Sequence, residues 1–206
     1  MDTKDMNIVL NKWIGELGRV LDEEKTLRFY RTTYKPEIPQ IELEENLKNL
    51  KTWEVFAYNT KRLFEFTVFL STGQAYASVI LNEGNAIVQF IDEFNRTYMM
   101  FTFGGEHKKG FLFLEKLWLF KYPDNEFHSI DECSSDMKYL FTPEGKLRVI
   151  KSAVLPDGDE DVIVEDATHP INIENNWEPY PELGKYEGLI KMKRWKEGDF
   201  LKGIII

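Results

Sequence analysis

With 43% hydrophobic and 14% aromatic residues, a 206-residue chain has ample material for a sizeable core, and its single cysteine, Cys133, excludes an internal disulfide and fits a reducing compartment. The N-terminus lacks a basic start followed by an apolar run, and no apolar stretch approaches the about 20 residues of a bilayer crossing, so neither signal peptide nor membrane is expected and the cytoplasm is the expected location. Residues 157–187 hold ten of the 35 acids but only one of the 26 bases, Lys185; the whole formal net charge of −9 therefore sits there, and no basic footprint for nucleic acid is present.

In chain order, Met6, Val9, Leu10, Trp13, Leu17, Val20 and Leu21 recur at the spacing of one helix face, predicting an N-terminal helix over 5–21 with Asp2 or Thr3 as N-cap. Asp22-Glu23-Glu24 is read as its end. The β-branched and aromatic run 26–34 predicts a strand that stops before Lys35-Pro36, followed by a short helix from Ile41 through Leu50 and a further strand over 53–58.

From Leu63 to Tyr122 the chain reads as a meander, with apolar segments at 63–70, 75–81, 86–91, 97–103 and 111–121. The short Gly- and Asn-bearing loops between them leave room only for antiparallel neighbours. In 63–70 the even positions are apolar while Glu65 and Thr67 are polar, so that strand is expected to be half exposed. In 111–121 both parities are apolar, which places that strand centrally and suggests a curled or barrel-like sheet. A hairpin is predicted over 138–152 around Thr142-Pro143-Glu144-Gly145, an edge strand guarded by charge around Val162-Ile163-Val164, and a helix over 186–196 weakened by Gly188. The expected fold is a single α+β, β-dominated domain over 1–206: a large antiparallel meander sheet, an N-terminal helix packed on it through Trp13 and Leu17, and short additional helices.

No motif for chemistry emerges. His107, His128 and His169 lack a metal-binding spacing, Asp157 to Asp161 fails the glycine and glutamate positions of a calcium loop, and Gly104-Gly105 with Lys108-Lys109 lacks the order of a phosphate loop. Cys133 lies among Asp131, Glu132 and Asp136, which favour the thiol over the thiolate. No catalytic residue, metal or cofactor is expected. The acidic positions Asp157, Asp159, Glu160 and Asp161, with Trp177, Glu178, Tyr180 and Glu182, form the candidate partner-binding set, because rigid aromatic area beside carboxylates complements a basic protein. The competing reading of the aromatics is that Trp177 and Tyr180 anchor a proline-bearing loop to the core.

An acidic, one-cysteine, β-rich chain without a catalytic motif resembles the immunity proteins of bacterial toxin-immunity systems, and the stretch Asn176-Trp177-Glu178-Pro179-Tyr180-Pro181-Glu182 is similar to a segment of uncharacterised bacterial proteins. The resemblance implies a non-enzymatic inhibitor that binds a basic toxin domain, and it transfers no functional residue. The alternative is a lipocalin-like barrel holding a small ligand among Tyr76, Tyr98, Phe101 and Trp118. An enzyme without a recognisable motif ranks third.

Overall fold

The meander forms as its alternation and turns dictate. In a computed structural model that describes residues 6–195, strands β4 (Phe64–Leu70), β5 (Ala75–Asn82), β6 (Asn85–Ile91), β7 (Thr97–Gly104) and β8 (Phe111–Lys121) pair antiparallel in sequence order. The hairpin of β9 (Ser135–Phe141) and β10 (Leu147–Val154) continues the sheet, turning at Gly145 with φ +84, where an added Cβ would sit 2.8 Å from the Ile171 carbonyl oxygen. The acid-flanked run becomes β11 (Glu160–Asp166), paired only to β10 among the described residues. The path starts at β1 (Met6–Val9), which pairs β4. Its ends do not pair with each other, so the sheet is open and the barrel expectation is corrected.

One row of partners crosses the front face from β4 to β11: Phe66, Val79, Val88, Phe101, Leu117, Tyr139, Val149 and Glu165. The first five are fully buried, Tyr139 nearly so, Val149 half-buried and Glu165 exposed. The cause of this gradient is a strap formed by residues 186–195. Tyr186 stacks on Phe66 at 4.3 Å, the Tyr76 hydroxyl donates to the Ile190 carbonyl, Tyr98 reaches the Met192 sulfur, and Trp195 stacks on Phe141. Register shifts after Val68 and after Phe90 insert Tyr76 and Tyr98 as extra residues, which is how both rings come to meet the strap. The helix expected over 186–196 is absent among the described residues up to 195. Gly188 serves packing instead: a Cβ there would lie 2.7 Å from the Glu178 carboxylate.

The N-terminal third departs from expectation. The predicted helix over 5–21 is β1, then β2 (Trp13–Ile14) and β3 (Arg19–Val20) with a single 3-10 turn between, closed by Gly18 at φ +55. The proposed N-caps Asp2 and Thr3 lie outside the described residues. Apolar spacing of three and four fits a helix, but it equally fits short strands broken by Gly15 and Gly18, and pairing with β4 decides between them. Trp13 is buried as expected, against Ala75 and Ile91; Leu17 is exposed rather than packed.

Residues expected as strands are helices α1 (Glu23–Tyr34) and α3 (Leu50–Thr60), with α2 (Gln40–Asn46) between. Asp22, taken as a stop, is the N-cap of α1 and accepts from the Lys25 amide, and Asn49 caps α3 through the Thr52 amide. The buried positions Thr26, Tyr30 and Tyr34, and Leu50, Trp53, Glu54 and Ala57, have helical spacing that the aromatic and β-branched content masks.

These changes also overturn the half-exposed reading of β4. Glu65 and Thr67 are both buried: Lys12 reaches Glu65 at 2.6 Å, and the Thr67 hydroxyl donates to the Asn11 carbonyl.

Candidate binding surface

The β10–β11 hairpin is the least covered part of the sheet. Its turn, 155–159, closes with the Leu155 amide donating to Asp159 O and the Gly158 amide to Leu155 O, Gly158 standing at φ +90. Asp157 accepts from the Asp159 amide. Every residue of β11 is exposed; Val162, Ile163 and Val164 keep 50%, 49% and 56% of their surface, an apolar triplet in water at the rim of the protein.

Charge around this strand is asymmetric. Arg148 grips Asp166 through two hydrogen bonds of 2.7 and 2.9 Å, holding its carboxyl below the usual range, and Lys151 bonds Glu165 at 2.8 Å. Asp159, Glu160 and Asp161 make no ion pair among the described residues. The C-terminal half of β11 is thus neutralised from β10, while its N-terminal half and the turn present uncompensated carboxylates.

Beside β11, on the front face, lies a trough of about 490 Å³ floored by Leu119, Met137, Tyr139, Val149 and Ile163 and rimmed by Lys121, Lys151, Asp161 and Glu165. Sequence reasoning missed it. The alternation of Met137 and Tyr139 with polar neighbours does mark a face in need of cover, but nothing local says that residues 186–195 pack on other parts of that face.

The other half of the predicted set is elsewhere and differently employed. β12 (Trp177–Pro179) pairs the opposite end of β8 from the one that β9 takes, so Trp177 sits roughly 25 Å along β8 from the acidic turn at about 3.3 Å per residue. Where the sheet forks, the buried Asn176 amide donates to the Leu114 carbonyl at 3.0 Å. Trp177 packs on Phe113 at 4.7 Å; Tyr180 packs on Tyr58 under the Lys61 ammonium. Glu178 forms a 2.6 Å ion pair with the buried Arg194, whose pKa is pushed down by burial and held up by Glu178. Glu182 pairs with Lys185 on the surface. Asp157, Asp159, Glu160 and Asp161 therefore share one surface with β11, whereas Trp177, Glu178 and Tyr180 tie the C-terminal segment down.

The remaining candidates resolve simply. The Cys133 thiol is half-buried, and burial first and Asp136 second push its pKa up. His107 bonds Glu115 and His128 bonds Asp124, and no group of three or more His, Cys, Asp or Glu among the described residues is placed to hold a metal. Of the four residues proposed for a ligand cavity, Tyr76 and Tyr98 bind the strap and line one open surface hollow with Leu70 and Ile91, whereas Phe101 is fully buried and Trp118 packs on Phe120 while donating to Asp136, so the four are not brought together. No helix among the described residues is long and apolar enough to cross a membrane. No family model, curated protein or solved structure matches this chain.

Proposed function

We propose that this is a non-enzymatic, cytoplasmic binding protein that engages a basic protein through the acidic β10–β11 hairpin, with an immunity-type inhibitor of a toxin domain as its biological form. One observation carries the reading: β11 displays an exposed apolar triplet beside Asp159, Glu160 and Asp161, which no base in the described chain neutralises. Apolar area at the centre of a patch supplies affinity, and carboxylates around it speed encounter with a positive partner. An exposed triplet of this kind is costly in a free protein and is compensated when a partner covers it.

The test is affinity capture from the source cell followed by association kinetics with the captured protein. Its on-rate is expected to fall steeply with added salt, since exposed charges are screened over about 8 Å at physiological ionic strength. Neutralising Asp159, Glu160 and Asp161 together is expected to slow association more than it speeds dissociation. A partner indifferent to both sinks the proposal.

A further inference from the structure

We infer that β11 is a docking edge at which an extended segment of a partner protein adds as an antiparallel strand, with an apolar centre and basic residues at its C-terminal end. This rests on the reading of the hairpin as a basic-protein site and specifies how that site works.

The backbone defines the acceptor. Leu155 donates to Asp159 O and Ala167 donates to Leu147 O, so the odd-numbered residues of β11 direct their peptide groups inward to β10. Alternation then turns the N–H and C=O of Glu160, Val162, Val164 and Asp166 outward, where no strand among the described residues meets them. The ladder on offer is seven residues long and straight enough to pair with β10 along its whole length without a register shift.

Charge selects the occupant. A second copy pairing about Ile163 would set Glu160 against Asp166 and Asp161 against Glu165, each twice; Arg148 and Lys151 are already engaged by Asp166 and Glu165, so a second copy brings no base to Glu160 and Asp161. A strand of opposite charge does supply one, and the edge therefore favours it over its own kind. Orientation follows from the asymmetry described above: Arg148 and Lys151 already neutralise Asp166 and Glu165, so the unmet carboxylates are Glu160 and Asp161. In an antiparallel pair the residues opposite those two lie toward the C-terminal end of the incoming strand. Its apolar residues would face Val162 to Val164, and the side chain beside Ile163 on the front face would lean over the trough.

The test uses the full chain, ¹⁵N-labelled, with an acetylated nonapeptide of alternating valine and threonine closed by two lysines, and the same peptide with the lysines moved to its N-terminal end. In the free protein the Val162 and Val164 amides are expected to exchange quickly while Ile163 and Glu165 are protected. Saturating peptide should slow exchange at Val162 and Val164 at least tenfold, and the reversed peptide should bind more weakly. Val162→Pro removes an outward donor without altering charge or the inward ladder, and is expected to weaken peptide binding about tenfold; Val164→Pro serves if the first variant loses protection at Ile163. Binding that survives the proline variants but is lost on neutralising Asp159, Glu160 and Asp161 retains the acidic site and overturns strand addition. Loss of neither overturns both. Protected Val162 and Val164 amides in the free protein show the edge already occupied, by the chain itself or by a second copy, and overturn the inference.

Discussion

At one end of the sheet, β4 presents its outer amides to a built cover. β1 pairs Thr67 to Leu70, and beyond it the Leu63 and Glu65 amides donate to the hydroxyls of Tyr34 and Tyr30, each at 2.7 Å, from a helix locked by the stacking of Tyr30 on Trp53. At the other end, β11 offers a longer ladder that no strand among the described residues meets, and acids flank its apolar triplet. The hazard of an unpaired strand edge is met beside β4 by the short strand β1 and by the tyrosine hydroxyls of α1, and at β11 by flanking carboxylates.

The largest effect expected from breaking the covered end is that of Trp53→Ala. This ring is 1% exposed, touches Tyr30, Tyr34 and Phe56, and donates to the Leu63 carbonyl, so its loss should cost about 3–5 kcal/mol in urea unfolding. Tyr30→Phe leaves the packing and strands the buried Glu65 amide; about 1–3 kcal/mol should be lost, with faster exchange at that amide as the local sign.

A smaller effect is pH-dependent. Burial raises the Glu65 carboxyl above its ordinary 4.5 despite Lys12 beside it. The folded state then holds this proton more tightly than the unfolded chain, so the contribution of Glu65 is fully present below 4.5 and is lost as pH rises through the raised value. Relative to Glu65→Gln, the parent should lose stability across that window, seen as diverging urea midpoints. Parallel midpoints would show that Lys12 offsets the burial completely.

The smallest effects belong to the open end and its neighbourhood. Ile163→Lys should change stability by less than about 0.5 kcal/mol, because the side chain is half in water already. Cys133→Ser should stay within about 1 kcal/mol, and the thiol should alkylate no faster than free cysteine at neutral pH, given the direction of its pKa. A large loss from Ile163→Lys would mean that β11 is covered in solution and would erase the contrast between the two ends.

The sequence by itself determined the sheet from Phe64 to Asp166. Its strands alternate, its turns carry Gly145 and Gly158 at positive φ, and each pairs with its neighbour in the chain, so local pattern and tertiary partner agree. It also located the acidic turn and the charged edge strand. What only the tertiary structure decided are the elements whose partners lie far off in the chain. β1 is a strand because β4 lies beside it some sixty residues later; α1 is a helix because Tyr30 and Tyr34 close that edge, against their own strand propensity. Trp177 and Tyr180 read in the sequence either as part of a partner surface or as anchors of a proline-bearing loop, and spacing does not choose, because the groups that Trp177, Glu178 and Tyr180 contact, Phe113, Arg194 and Tyr58, are brought in by the fold. The charge asymmetry along β11 has the same origin: the acids flanking Val162 to Val164 mark an edge strand in the sequence, and only the fold shows which of them β10 neutralises.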